Sequence, residues 1–139
     1  MKRRHLLPLL LLPVVWFGCV KSGPETSNIV PASMRAFTMP YGKVWKVVLD
    51  TVQYEFLIPV EVAEAKKGYF SSELIKDYQA GQRSKYRLSG TVMFDGNATV
   101  VKLYRQLELE QNGEWVTIPS DLSLESRILS AVGDKLRAK

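Results

Sequence analysis

The stretch that decides the fold is SKYRLSGTVMFDGNATVVKLYRQLELEQ, residues 84–111. Apolar and polar side chains alternate over residues 84–94 and again over 98–111, which is the period of a half-buried β-strand. The intervening Asp-Gly-Asn at 95–97 is a tight-turn signal. The stretch therefore predicts an antiparallel hairpin of two long strands.

The same pattern gives the register and the two faces of this hairpin. If the turn centres on residues 96 and 97, Lys85 lies opposite Glu108, and this opposite-charge pair supports the register. The apolar face carries Tyr86, Leu88, Gly90, Val92, Phe94, Val101, Leu103, Leu107 and Leu109. The mixed face carries Lys85, Arg87, Ser89, Thr91, Met93, Lys102, Tyr104, Gln106 and Glu108.

Arg105 is the unexpected residue of the hairpin, because it shares the apolar face with Leu103 and Leu107. A buried guanidinium needs a carboxylate partner, which Glu125 or Asp50 can supply. A bulge, or a position at the rim of the sheet from which the side chain reaches water, accounts for it more simply. We therefore expect Arg105 at a bulge or at the rim.

Upstream of the hairpin, the chain predicts a strand followed by a helix. Residues 36–39 form a short first strand, which Pro40 ends because proline lacks an amide donor. Residues 41–53 place apolar side chains at i, i+3 and i+4, which is the spacing of an amphipathic helix. Trp45 lies on this apolar stripe, so we expect it in the core.

Between that helix and the hairpin, the signals are those of strands. Residues 56–65 alternate, although Pro59 restricts this strand to an edge or a bulge. A turn at 66–68 leads to a weaker strand at 69–75, and residues 77–82 indicate a loop.

Downstream of the hairpin, one strand and one helix complete the domain. The Asn-Gly pair at 112–113 predicts a second tight turn before a short strand at 115–118. Trp115 in that strand suits the core and a surface anchor equally. Ser120 or Asp121 then caps the last helix. The apolar stripe of this helix consists of Leu124, Ile128, Leu129, Val132 and Leu136.

Neither helix can bury its apolar stripe alone. A two-layer α+β sandwich, in which an antiparallel meandering sheet carries both helices on one face, buries all the stripes at once. We expect this helix-grip-like arrangement over residues 36–139 as a single domain, with the opposite sheet face left to solvent or to a partner. The large residues expected in its core are Trp45, Phe56, Leu88, Phe94, Leu103 and Leu129.

The N-terminus predicts export. Residues 1–18 have a basic start, a short apolar run and a small residue before the cut, as in a secretory signal peptide. Gly18-Cys19 at the end of the run resembles the bacterial lipobox, in which the Cys is acylated and becomes N-terminal. We therefore predict lipidation, palmitate included, at Cys19, with residues 19–35 as a lipidated flexible tether. An ordinary signal peptide with an incidental Cys is the alternative.

The residues after Cys19 bear on the destination. Val20 and Lys21 follow it, with no Asp at the second position, and this resembles the enterobacterial sorting pattern for the outer membrane. We therefore expect a lipid-anchored protein at the outer membrane that faces the periplasm.

Composition argues against several classes of function. The chain of 139 residues has 19 Lys+Arg and 14 Asp+Glu, and the loss of Lys2, Arg3 and Arg4 with the signal peptide leaves 16 against 14, a net charge of +2. No dense basic patch remains for nucleic acid. His5 is the only histidine and Cys19 the only cysteine. The mature chain then lacks a His base, a Cys nucleophile and a His/Cys zinc site. We therefore expect no enzymatic activity, no bound metal and no cofactor.

One stretch resembles a known family. Residues 39–58, MPYGKVWKVVLDTVQYEFLI, behind a lipobox and a tether, resemble the helix-grip domains of outer-membrane lipoproteins of the BamC (NlpB) family. The matching elements are Pro40, Trp45, the strand at 56–62 and the Lys-Gly turn at 67–68. The family's usual protein has two such domains, where this chain has one. The resemblance implies a non-enzymatic, membrane-anchored accessory of outer-membrane assembly that binds an envelope protein complex.

Three functions stay open. The first is that accessory, or the pilotin of a secretion system; the second is a carrier of a lipid or other apolar ligand between helices and sheet; the third is a structural lipoprotein that oligomerises. The oligomeric state itself is open. For the accessory, we predict docking on the uncovered sheet face through Met93, Tyr104, Arg87 and Lys102, since Met and Tyr are enriched at interfaces. A purely solvated face is the alternative.

Overall fold

The computed structural model describes residues 31–79 and 81–138. The predictions on the signal peptide, on Cys19 and on residues 20–30 of the tether lie outside these described residues. The elements, in chain order, are β1 (Ala32–Phe37), α1 (Tyr41–Asp50), a π-helical turn (Thr51–Glu55), β2 (Val60–Glu64), β3 (Tyr69–Ser72), β4 (Ile75–Gln79), β5 (Gln82–Phe94), β6 (Thr99–Gln111), β7 (Glu114–Ile118) and α2 (Ser123–Arg137). Within the described part of the chain, no helix is long and apolar enough to cross a membrane.

The predicted long hairpin forms the centre of the sheet. β5 and β6 pair antiparallel in the predicted register, and the side chains of Lys85 and Glu108 form a salt bridge of 3.6 Å. Each long strand has two shorter neighbours: β4 and β3 lie along β5, whereas β7 and β1 lie along β6. β2 pairs with β3, and all of these pairings are antiparallel.

Both helices pack on one face of this sheet, which confirms the predicted two-layer α+β sandwich. A single apolar cluster joins the helices to the sheet, and burial of such side chains is worth roughly 1.5–3 kcal/mol each. Its fully buried members are Val44, Val48, Val52, Phe70, Leu88, Val92, Val101, Leu103, Ile128 and Val132.

Gly90 allows the core to close over the middle of β5. The ring of Phe70, on the neighbouring β3, occupies the space that a side chain at Gly90 would need. A Cβ there would lie 2.3 Å from Cε1 of Phe70 and 2.8 Å from Cδ2 of Leu103. Gly90 thus leaves a gap in the apolar face of β5, and the side chains of Phe70 and Leu103 fill that gap.

β1 begins earlier than predicted. It spans Ala32–Phe37 instead of 36–39, so residues 32–35 of the predicted tether belong to the sheet. Its backbone pairs with β6 from Ala32–Tyr104 to Phe37–Thr99. Six residues are too few for the sequence ASMRAF to predict a strand by its pattern, and backbone pairing with β6 is what holds β1 in the sheet.

The strand predicted over residues 56–65 is shorter, because helical structure runs further than expected. Thr51–Glu55 form a π-helical turn after α1, and Leu57 then adopts a left-handed backbone with φ of 54°. A bulge between Val60 and Val62 shifts the register within β2. The apolar residues that alternate over residues 56–65 therefore do not all lie on one face of the sheet.

The region predicted as one strand and a loop contains two strands, β3 and β4. Residues 77–79, assigned to a loop, pair with the start of β5. Where β5 passes from one neighbour to the other, the hydroxyl of Ser72 accepts the backbone N–H of Leu88 at 3.0 Å. This bond satisfies a donor that the break would otherwise leave unpaired.

The last helix begins at Ser123, so its N-cap is Leu122 and not the predicted Ser120 or Asp121. Leu122, with φ of 63°, stands between the predicted cap residues and Ser123. Ser120 Oγ accepts the N–H of Leu122, and Asp121 Oδ1 accepts the N–H of Ser123 at 3.0 Å. The predicted residues therefore do satisfy donors at the start of α2, although from outside the helix.

Three of the large residues predicted for the core lie at or beyond its margin. Phe94 is 56% exposed because it stands at the end of the hairpin, so its assignment to the core was wrong. Trp45 and Phe56 are partly buried against the core. Trp45 contacts the fully buried Phe70 edge-to-face, with ring centroids 6.4 Å apart.

Candidate protein-interaction surface

The sheet face opposite the helices carries a patch that is exposed in part, which we call the outer patch. Its residues alternate with the core residues of β1, β5 and β6, and they form three rows across these strands. The rows are Met93–Val100–Ala36, Thr91–Lys102–Met34 and Ser89–Tyr104–Ala32. No described element covers the outer patch, since α1 and α2 both lie on the other face.

Two methionines make the outer patch apolar. Met34 is 69% exposed and Met93 is 63% exposed, on either side of the half-buried Val100. Lys102 stands between Thr91 and Met34 in the middle row, and its side chain is exposed. Flexible, polarizable methionines around one cation are a composition that suits contact with another protein.

The four residues predicted for docking do not all lie together. Met93 and Lys102 belong to the exposed part of the outer patch, as predicted. Tyr104 is in the patch and is half-buried. Arg87 is occupied within the domain, because its guanidinium binds Glu61 of β2 and donates to the carbonyl of Ser72 at 3.0 Å.

Met34 is the residue that the sequence reasoning missed. Residues 32–35 were assigned to the tether, and so nothing placed this side chain on a sheet. Met34 lies opposite Lys102 in the β1–β6 ladder. A period-two pattern over ASMRAF was the only available signal, and six residues are too few to distinguish it from linker composition.

The other end of the same sheet face has a different character. The ammonium of Lys85 lies 4.3 Å from the ring centroid of Trp115, which is 39% exposed. Lys85 also pairs with Glu108. Trp115 is thus a surface residue that packs against a cation, and this end is a network of satisfied charges.

Arg105 is buried, which corrects the expectation of a bulge or a rim position. Only 6% of its side chain is exposed, and its Nε lies 3.8 Å from Oε1 of Glu125, the partner proposed first from sequence. Nη2 of Arg105 donates to Ser120 Oγ at 3.1 Å and to Asp121 Oδ1 at 3.2 Å. The alternative partner, Asp50, pairs with a lysine of its own helix.

This buried network ties α2 to the sheet. Ser120 Oγ donates to Glu125 Oε1 at 2.7 Å, and the guanidinium of Arg105 lies over the ring of Tyr86 at 5.3 Å. Burial raises the pKa of Tyr86, while the nearby Arg105 charge opposes that shift. Hydrogen bonds from the N–H and the hydroxyl of Ser123 lower the pKa of Asp121. We interpret the network as structural, because the charge of Arg105 is paired with those of Asp121 and Glu125 within the domain.

Metal-binding side chains do not cluster in the part of the chain that the structure describes: no group of three His, Cys, Asp or Glu residues there could hold an ion.

Comparison with protein-family models and with curated proteins gives no match. Among solved structures, a DUF4468 family protein from Bacteroides ovatus is similar at 14% identity and a TM-score of 0.42, with 70% of this chain and 66% of that chain covered, just under two thirds of that protein's length. A TBP-like protein from Parabacteroides distasonis is 8% identical, with a TM-score of 0.44 and coverage of 74% and 92%. A protein from Nitrosospira multiformis is 10% identical, with a TM-score of 0.41 and coverage of 78% and 96%. These likenesses carry no argument about function.

Proposed function

We propose that this chain is a non-enzymatic lipoprotein of the bacterial envelope, anchored at Cys19 to the outer membrane, which binds an envelope protein complex as an accessory to outer-membrane assembly. The outer patch is the docking surface of this proposal. The anchor and the location rest on the lipobox-like Gly18-Cys19 and on the residues that follow it.

The observation that carries the proposal is the exposure of Met34 and Met93 on a sheet face that no described element covers. Exposed apolar side chains grouped on one face are typical of interaction sites. Lys102 at the centre of the group would restrict the partner to a surface that offers an acidic or carbonyl group there.

The core supports this proposal over the carrier. The space between the helices and the sheet is filled by fully buried side chains, among them Val48, Phe70, Leu103 and Ile128. A carrier of an apolar ligand needs a cavity of some 300–1,000 Å³ in that place.

The docking part is tested by the double variant Met34→Asp/Met93→Asp. Both side chains are exposed, so the free energy of unfolding should change by no more than about 0.5 kcal/mol per site. Recovery of the partner from solubilised membranes should fall at least tenfold. Tyr78→Asp is the matched control, because Tyr78 is 68% exposed at the far end of the sheet. Equal recovery with both variants would place the docking surface elsewhere.

The anchoring part is tested by metabolic labelling with a fatty-acid analogue. Wild type should incorporate the label, and Cys19→Ala should not. Membrane fractionation should then find the labelled protein in the outer membrane. Equal labelling of both proteins, or a wild type that stays unlabelled, would contradict the anchor, and recovery from the inner membrane alone would contradict the location.

A further inference from the structure

A cleft of about 570 Å³ lies at the turn end of the long hairpin, between the last residues of β5 and the turn that joins β2 to β3. Tyr41 from the first turn of α1, Lys66 and Lys67 from the β2–β3 turn, and Phe94 from β5 contribute to its lining. We call these four residues the tip. Met93 also borders the cleft, so it belongs to the margin of the tip as well as to the outer patch.

The tip is held in shape by backbone contacts. The carbonyl of Gly68 accepts the N–H of Val92 at 2.8 Å. Gly68 has φ of 62°, and a Cβ at this position would lie 2.0 Å from the carbonyl oxygen of Val92. The hydroxyl of Tyr41 donates to the carbonyl of Ala65. The backbone of the turn that carries the two lysines is therefore held beside the end of β5.

Two neighbouring apolar side chains project from the end of the hairpin. Phe94 is 56% exposed on the helix side of the sheet, and Met93 is 63% exposed on the outer side. Phe94 stands at the end of the hairpin, outside the apolar core. This exposure contributes little to folding and provides a group for insertion into an apolar phase.

Two lysines and two acids lie around these apolar groups, and Lys66 is the cation among them that no described acid pairs with. Lys66 is exposed and forms no salt bridge among the described residues, whereas Lys67 pairs with Glu64 at 2.7 Å. Asp95 is the other nearby acid, and its carboxylate accepts the N–H groups of Asn97 and Ala98. Both acids are thus engaged within the domain, while the ammonium of Lys66 faces solvent.

We propose that the tip binds the surface of an anionic phospholipid bilayer, with Phe94 inserted among the acyl chains and Lys66 and Lys67 at the headgroup phosphates. An apolar wedge flanked by lysines is the pattern of interfacial membrane binding, in which buried apolar area and attraction to anionic lipid add. The inference goes beyond the proposed function, because it concerns the orientation of the domain and not its protein partner.

A fluorescence measurement on the full-length protein tests this proposal. Asn97→Cys places a thiol in the turn next to Phe94. Wild type treated with the same label gives the background signal from Cys19, the only native cysteine. An NBD label at residue 97 should shift to the blue, and lipid-borne nitroxide should quench it, in vesicles of phosphatidylethanolamine and phosphatidylglycerol. A label at residue 111, from Gln111→Cys at the other end of β6, should stay in water. The labelled proteins without a lipid anchor are also added to the same vesicles, and the same blue shift and quenching are measured.

Single variants then separate the two contributions. Phe94→Ser and Lys66→Glu should each lower the fraction of inserted label several-fold, and so should replacement of the anionic lipid by phosphatidylcholine. Lys76→Glu, an exposed charge reversal on β4, should have no effect. The proposal is overturned if the label at residue 97 stays in water in anionic vesicles, if both labels respond equally, or if residue 97 responds only in native membranes that contain a partner protein.

Discussion

Arg105 on β6 and Glu125 on α2 form a buried ion pair that links the helix to the sheet. Both are buried, at 6% and 0% exposure, and Oε2 of Glu125 has no hydrogen-bond partner among the described side chains. Buried ion pairs seldom add net stability, but removal of one partner leaves an uncompensated charge in the interior. The pair is therefore expected to specify the position of α2 on the sheet.

We predict that Arg105→Met destabilises the domain by about 3–5 kcal/mol, because Glu125 is then left without its cation. The double variant Arg105→Met/Glu125→Leu should recover most of this loss, because no buried charge remains. Urea unfolding of the two variants and wild type measures the difference. A double variant as unstable as the single one would mean that packing around Ser120, and not charge, is what the network supplies.

Asp121 gives a prediction on acid stability. Its pKa is lowered, chiefly by hydrogen bonds from Ser123, so the charged form is favoured in the folded state. The resulting stabilisation is present above the unfolded-state pKa of about 3.9 and is lost as the pH falls through the lower folded-state pKa. Asp121→Asn should therefore be less stable than wild type near neutral pH, and the two should converge in acid.

The measurement is urea unfolding of wild type and Asp121→Asn from about pH 6 down to pH 2. Tyr78→Asp, which changes a distant exposed site, controls for a general effect of charge. A stability difference that stays constant over this range would show that the Asp121 carboxylate is not selectively stabilised in the folded state.

At the scale of elements, the patterns that repeat over many residues were predictable. The β5–β6 hairpin has eleven consecutive pairs, and its alternation and turn define one register, since a slip of one residue would reverse both faces. The apolar stripe of α2 likewise repeats over several turns, from Leu124 to Leu136. The start of the short strand β1 and most of the short, polar strand β4 were not predicted, because pairing with a long neighbour, and not their own side chains, stabilises them.

The candidate site was predictable in part for the same reason. Met93 and Lys102 lie on the long strands, so their face followed from the register. Met34 lies on β1, and Arg87 is engaged by Glu61 on β2. Both of these depend on elements whose position the sequence pattern does not determine.

Leu57 provides a test at the scale of the helix-to-strand connection. It has φ of 54° and is 77% exposed, so it bears the steric cost of a left-handed backbone, about 1–2 kcal/mol, without compensating burial. Leu57→Gly should therefore leave the stability unchanged or raise it by up to about 1 kcal/mol, after the entropic cost of glycine. Chemical denaturation measures this change.

Tyr54→Gly is the matched control for that variant. Tyr54 is 69% exposed but lies within the π-helical turn, where glycine should cost about 1 kcal/mol. Equal destabilisation by both substitutions would show that the backbone at Leu57 is not strained.

At the scale of the whole molecule, the two faces of the sheet differ in what covers them. One face is closed by α1 and α2 over a filled apolar core, and the other carries the outer patch with Met34 and Met93 in contact with solvent. A two-layer fold with an uncovered sheet face requires that face to be polar or to have a partner. The mixture of methionines and Lys102 favours a partner.

In-cell photo-crosslinking tests this central claim most directly. A photoreactive phenylalanine analogue is placed at residue 34, 93 or 78 of the full-length protein, and adducts are resolved after irradiation of living cells. The account predicts one discrete adduct of the same mass from positions 34 and 93 and none of that mass from position 78. The absence of an adduct from positions 34 and 93, or an equal adduct from position 78, would contradict docking on the outer patch.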